Sequence, residues 1–400
     1  MILTALGFSL IGTTIIGGAY PVFERYCLKE RYRKRKLCEN LEKAFANGDL
    51  YKTKGDKREY PTILKVAEQG EKLTLVFNVP KGMNPDEIEK RSYVLKQHFG
   101  NNIKLDLDVK RGILQVFNAG LPDKWTYRYE VAAAAIEGIR VPVVCGQSLE
   151  GELKVYDMVE NPHLLISGET GSGKSSELRS ILTTLIKNKR PEELQLILGD
   201  LKRSEFHLFK YLDHVEGVYH TAAQLLPVLQ KVKLEMDKRG DMLDQEGMNS
   251  IGELKRKLPY IIVCIDEVAL LKGETAVTDV LEEISSIGRS LGVFLILSMQ
   301  RPDAKLLDGK LKVNLTVRMG FRTADAINSK IIGTPGAENI KVLGRMILKV
   351  NSAAEEIQCP WLDNEKAKKL LAPFKRNKEE VQQQEQEDTY DEYAGVFTNE

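Results

Sequence analysis

The chain has 400 residues, enough for two or three folded units with a sizeable core, and its 58 basic and 57 acidic side chains leave a formal charge of +1, so global charge gives no argument for nucleic acid. The five cysteines (Cys27, Cys38, Cys145, Cys264, Cys359) are odd in number and widely spaced, with no CxxC or Cys/His cluster, so neither a disulfide framework nor a zinc site is supported. Charge is nonetheless unevenly spread: RYRKRK (31–36) is strongly basic, and EEVQQQEQEDTYDEY (379–393) is acidic and poor in aliphatic residues.

From Met1 to Phe23 no side chain is charged, and the run is long enough to cross a bilayer as a helix. A cleaved signal peptide would carry positive charge before its apolar run; here Arg25, Lys29, Arg31, Arg33, Lys34, Arg35 and Lys36 follow it. The expectation is one transmembrane anchor over 1–23 and a basic juxtamembrane segment over 24–57. Its N-terminus then lies outside the cell membrane and everything downstream in the cytoplasm. Residues 58–125 read as a small α+β module. YPTILKV and KLTLVFNV form strands, NPDEIEKRSYVLKQHF a helix capped by Asn84 with Pro85 at its first position, and IKLDLDV and GILQVFN two half-buried strands. The module carries no catalytic constellation.

Residues 126–375 alternate strand and helix in the pattern of a doubly wound, mostly parallel α/β sheet. HLLIS leads into GETGSGKSS, where the spacing GxxxxGKS lies between a short apolar strand and a helix from about Lys174 to Lys187. Gly168, Gly171 and Gly173 let the backbone curl so that successive N–H groups face an anion. With Glu169, Thr170, Ser172 and Ser176 they complete a phosphate cradle in which Lys174 meets the β- and γ-phosphates and Ser175 offers its hydroxyl to Mg²⁺. ATP with Mg²⁺ is the expected cofactor. LQLILGD reads as a buried strand ending at Asp200, and a long amphipathic helix follows over roughly 222–246. YIIVCIDE then delivers Asp266 and Glu267 at a strand's carboxyl end, Asp266 to hold the metal opposite Ser175 and Glu267 to orient the attacking water. FLILSMQRP ends in Gln300, whose amide can report on the γ-phosphate, and ISSIGRSLG presents Arg289 at the end of a helix. Residues 376–400 form an acidic tail expected to be disordered, since it cannot bury enough apolar surface.

GETGSGKSS, LILGDLKRSEF, EMDKRGDML, IIVCIDEVALL and GRSLGVFLILSMQRPD through NLTVRMGF and GAE occur in one consistent order over roughly residues 140–350. This stretch resembles the FtsK/SpoIIIE family of membrane-bound DNA translocases. The resemblance implies a RecA-like motor that assembles as a hexameric ring and threads DNA while hydrolysing ATP. It also implies that Arg289 is an arginine finger acting in trans and Gln300 a sensor. One anchor, almost no linker and no room for a reader domain after Lys375 look more like the coupling proteins of Gram-positive conjugative elements and plasmids, which imply a relaxase and transfer-channel proteins as partners. A compact chromosome-partitioning pump and a membrane docking ATPase that recruits a relaxase without translocating are the alternatives. Pore-facing cations would grip phosphates without reading bases; Lys202, Arg203, Arg301, Lys305, Lys310 and Lys312 are the candidates.

Overall fold

The computed structural model describes residues 29–303 and 310–376. They belong to two compact units that divide between Gly120 and Leu121. The apolar run 1–23, Lys305 and the acidic tail from residue 377 on lie outside the described residues. Among the described residues no helix is long and apolar enough to cross a membrane.

The first unit begins with α1 (Lys29–Asn47), followed by the hairpin β1 (Lys52–Lys54) and β2 (Lys57–Glu59). Then come β3 (Ile63–Gln69), β4 (Lys72–Asn78), α2 (Pro85–Lys90), α3 (Tyr93–Phe99), β5 (Ile103–Leu107) and β6 (Arg111–Phe117). The four longer strands form an antiparallel sheet in the order β3-β4-β6-β5. Asn84 caps α2 by accepting the Asp86 N–H, with Pro85 at the first helical position. The single helix expected over this stretch is two: α2 ends at Arg91, whose guanidinium donates to Gly48 O at 2.6 Å, and α3 restarts from Ser92. The segment read as juxtamembrane also does more than its charge suggests. Leu41, Ala44 and Phe45 recur at helical spacing on α1 and are wholly buried with Leu75, Phe77 and Leu95. Phe45 meets the Phe77 ring edge-on at 5.2 Å. Helix α1 is therefore part of this module's core.

The second unit runs β7 (Trp125–Thr126), α4 (Tyr129–Ala135), β8 (Pro142–Gln147), β9 (Leu153–Asp157), β10 (Leu164–Ser167), α5 (Lys174–Asn188), β11 (Leu194–Asp200) and β12 (Val215–Tyr219). It continues with α6 (Ala222–Glu246), β13 (Tyr260–Asp266), α7 (Thr275–Leu291), β14 (Val293–Met299), α8 (Lys310–Asn314), β15 (Val317–Phe321) and α9 (Ala326–Ile332). It closes with β16 (Arg345–Val350), β17 (Ala353–Gln358), β18 (Pro360–Trp361) and α10 (Asn364–Leu371). Among the described residues these build a ten-stranded sheet in the order β12-β11-β13-β14-β10-β15-β16-β17-β8-β9. The stretch from β12 to β15 is parallel and the rest antiparallel. The sheet is thus mixed, with an antiparallel flank that the alternating strand–helix reading did not anticipate.

The central strands β10, β13 and β14 are buried nearly throughout, because helices cover both faces. On one side α5 packs Leu178, Ile181, Leu182 and Leu185 into the sheet; on the other α6 and α7 contribute Leu225, Leu229, Met236, Leu281 and Ile284. Arg239 of α6 is fully buried and donates to Leu291 O at 2.8 Å, tying α6 to the end of α7. Register places Ser167 beside Met299 and Asp200 beside Asp266. Four carboxyl-terminal strand ends therefore meet at one edge.

Candidate active site

Strand β10 runs into the glycine-rich loop, and α5 opens at Lys174. Gly173 sits at φ +118° and Gly171 at φ +77°, in the left-handed region that side chains disfavour. Space adds a second constraint. A Cβ on Gly168 would lie 2.5 Å from Phe321 Cβ, and one on Gly173 would lie 2.7 Å from Gly344 Cα. The loop is fastened at its flanks: Gly168 N–H donates to Met299 O, Glu169 N–H to Arg322 O, and Gly344 N–H to Ser172 O. The Glu169 carboxylate also accepts from Arg322 Nε at 3.2 Å. Thr170 and Gly171 are exposed at the loop's tip, and the buried Ser172 hydroxyl has no hydrogen-bond partner among the described residues. The loop held in this way stands at the positive end of the α5 dipole, an arrangement that selects an anion.

Facing the loop is a set of interlocked charges. Lys174 is buried; its ammonium donates to Asp266 Oδ1 at 2.7 Å and to Ser298 Oγ at 2.9 Å, and the Ser298 hydroxyl donates to the same Asp266 oxygen at 2.8 Å. The Ser175 hydroxyl donates to Glu205 Oε1 at 2.6 Å. Burial raises the Glu205 carboxyl above its ordinary range, and Asp266 pushes the same way. Glu267, buried and at φ +56°, accepts Lys202 Nζ on Oε2 at 2.6 Å and the Gln300 N–H on both oxygens at 3.2 Å. Asp200 organises the loop that brings Lys202 and Glu205 here, since its carboxylate accepts the N–H groups of Ser204, Glu205 and Phe206.

This donor set fits a nucleoside triphosphate with Mg²⁺: a hydroxyl and hard carboxylate oxygens beside an anion-selecting loop. Ser175 and Asp266 would hold the metal, which when bound neutralises charge on the phosphate oxygens. Sequence reasoning missed Glu205 and Ser298. Glu205 lay in plain view in the DLKRSEF run, five residues past the strand end; Ser298 looked like one more core position in a buried strand.

The other expected residues are distributed differently. Ser176 faces away from the cradle: its hydroxyl donates to Pro360 O at 2.9 Å and accepts the Leu362 N–H, pinning α5 to β18. Its role is structural, because a helix turns that position toward the neighbouring strand. Lys202 is committed to Glu267. Arg203 is exposed at φ +55° and lines a groove of about 580 Å³ with Lys210, Lys231 and Arg376 beside the edge strand β12. Arg301 is exposed, Lys312 is half-buried in α8, and Lys310 begins that helix. Arg289, on the last turn of α7, donates through Nε to Val159 O at 3.0 Å and lies 3.5 Å from a Glu160 oxygen.

A glycine loop opening a helix at the carboxyl edge of a parallel sheet, faced by a buried Asp–Glu pair, defines a P-loop nucleoside triphosphatase domain. Residues 128–257, which lie within the second unit, match the FtsK/SpoIIIE family. Among curated relatives, the DNA translocase FtsK of Chlorobaculum tepidum is 33% identical over 242 residues, covering 56% of this chain and 30% of that protein. The DNA translocase FtsK of Borreliella burgdorferi is 31% identical over 253 residues, covering 59% and 32%. The match thus spans about a third of these relatives' length. Among solved structures, the pCW3 conjugation coupling protein TcpA, a monomer form with ATPγS, superposes with a TM-score of 0.59 at 25% identity, over 84% of this chain and 99% of that one. The type VII secretion ATPase EccC of Thermomonospora curvata gives a TM-score of 0.53 at 26% identity, over 60% and 31%.

Proposed function

We propose that this chain is an ATP-driven DNA translocase that serves as the coupling protein in conjugative transfer of a mobile element or plasmid. The observation that carries this reading is the likeness to the TcpA coupling protein, which extends over 99% of that chain and so includes more than the motor. In this reading Lys174 leaves Asp266 for the phosphates, and Ser175 and Asp266 hold Mg²⁺. Glu267 takes the proton of the attacking water, beside the Gln300 amide. A single anchor over residues 1–23 places the motor on the cytoplasmic face of the membrane, where six copies form a ring around DNA and receive it from a relaxase at the transfer channel. The reading as a double-stranded chromosome pump draws on the curated FtsK relatives, whose match is confined to about a third of their length. ATPase activity measured with no DNA, single-stranded DNA and duplex DNA across a salt series tests the proposal. Turnover that rises with DNA and loses that rise with salt supports it; turnover indifferent to DNA at low salt leaves only the docking ATPase.

A further inference from the structure

The geometry points to Lys202 as a positioning residue that latches Glu267, released when a phosphate backbone draws its ammonium away. This rests on the reading above that Glu267 activates water and that DNA is the partner. Glu267 has its carboxylate fully engaged: Lys202 holds Oε2 at 2.6 Å and the Gln300 N–H reaches both oxygens. An oxygen bound to an ammonium is a weaker acceptor for a water proton, so one partner has to leave before Glu267 can serve. The two partners are unequal. Gln300 donates from the backbone at the end of β14 and cannot withdraw without moving the sheet. Lys202 donates from a flexible four-carbon stem, and its side chain is 32% exposed against 6% for Glu267.

The surroundings give the ammonium somewhere to go. Arg203, the next residue, is exposed and lines the groove with Lys210, Lys231 and Arg376, four cations against the single carboxylate of Glu216. A phosphodiester chain seated there arrives one residue from Lys202, since consecutive Cα atoms lie about 3.8 Å apart. Phosphate and carboxylate then compete for one ammonium, and occupancy of the groove is converted into a free Glu267 oxygen. The loop that carries both cations is held by Asp200, whose carboxylate accepts three successive N–H groups, so Lys202 moves by its side chain while the backbone stays.

The test is steady-state ATPase of the full chain and its Lys202→Ala, Lys202→Arg and Glu267→Gln variants, with and without a duplex oligonucleotide, alongside the affinity for a fluorescent ATP analogue. Lys202→Ala is expected to raise the DNA-free kcat by about tenfold, the kinetic equivalent of about 1.4 kcal/mol. It should leave KM and analogue affinity near wild type and bring the ratio of rates with and without DNA to about one. Lys202→Arg, which keeps the cation, should restore both the low basal rate and the stimulation; a general folding defect would not be rescued in this way. A Lys202→Ala basal rate equal to or below wild type, or persistent stimulation by DNA, overturns the latch while Glu267→Gln remains slow. Glu267→Gln turning over at the wild-type rate refutes instead the reading of Glu267 on which the latch rests.

Discussion

Lys174→Ala is the usual way to silence a P-loop, yet here the structure predicts a second consequence, on stability. The ammonium and the Asp266 carboxylate are 2.7 Å apart with side chains only 5% and 3% exposed, so solvent screening discounts little of the interaction. Removing the lysine leaves a buried carboxylate that keeps the Ser298 hydroxyl but no cation among the described residues, and breaking a buried pair at one partner costs roughly 3–5 kcal/mol. For a unit of this size each kcal/mol moves the melting temperature by about 2–4 °C, which gives a drop of roughly 6–20 °C. Asp266→Asn should be destabilising for the mirror-image reason. The double variant Lys174→Ala/Asp266→Asn removes both charges, so it should be less destabilised than the two losses summed, by about 2 kcal/mol or more. Nucleotide-free calorimetry of the four proteins at two salt concentrations measures this cycle. Strictly additive losses, or a Lys174→Ala transition at the wild-type temperature, would refute the claim that this pair is buried and coupled.

Glu267→Gln should bind ATP normally and hydrolyse it slowly, since the geometry survives while the base is lost; analogue binding and single-turnover assays check this. His163 is wholly buried, accepts the Leu295 N–H on Nδ1, and has its pKa pushed down by burial to about 4. The unfolded chain takes up that proton near pH 6.5, so between these values it binds more protons than the folded state. Stability is therefore present above pH 6.5 and lost as pH falls toward 4, by about 3 kcal/mol in all, which urea titrations at stepped pH would show. Glu177 is raised well above the carboxylate range by desolvation, so the folded state keeps its proton and this site's contribution falls as pH rises past 4.5. Glu177→Gln should accordingly raise the melting temperature more at pH 8 than at pH 5. Mixing Arg289→Ala with Lys174→Ala subunits should return part of the ATPase activity that each lacks alone, because some interfaces then pair an intact cradle with an intact arginine. No recovery in rings shown to exchange subunits would eliminate the trans role.

The parts of the site legible in the sequence are those set by backbone chemistry and strand termini. GxxxxGKS requires particular φ values and close approaches, which the structure shows at Gly168, Gly171 and Gly173. A run such as YIIVCIDE can bury its apolar stretch only by ending where the acids emerge, so Asp266 and Glu267 fall where expected. Helix α6 matches the expected 222–246 because Thr221 caps it and Gly247 stops it at φ +64°. What escaped were pairings between distant segments. Nothing in DLKRSEF says that Lys202 will reach Glu267 and Glu205 will reach Ser175, since both depend on a loop folded around the Asp200 carboxylate. Ser176 failed for the opposite reason: a hydroxyl adjoining a phosphate motif reads as a ligand until the helix turns it toward Leu362. The antiparallel flank was equally hidden, because β16 and β17 alternate too weakly to reveal that they extend the parallel sheet.

The position of Arg289 decides what it can do. It ends α7 just before β14 begins at Val293, which places it at the amino edge of the sheet. The cradle, Asp266 and Gln300 stand at the carboxyl edge, beyond Ser167 and Met299, which pair with each other at the strand ends. Seven residues of β14 at about 3.3 Å each separate the two edges by roughly 20 Å, which no arginine side chain spans. A cis finger is therefore ruled out by topology. The present partners of Arg289 are easily given up: the Glu160 pair has side chains 57% and 59% exposed, the kind of contact that contributes little to stability. Cyclic rings join unlike faces of neighbouring subunits, so a residue on the amino edge of one protomer can meet the carboxyl edge of the next. Within its own subunit the site has the cations Lys174 and Lys202, and each is paired with a carboxylate. A third cation supplied across an interface would tie phosphate-charge compensation to assembly, so that hydrolysis waits on the ring.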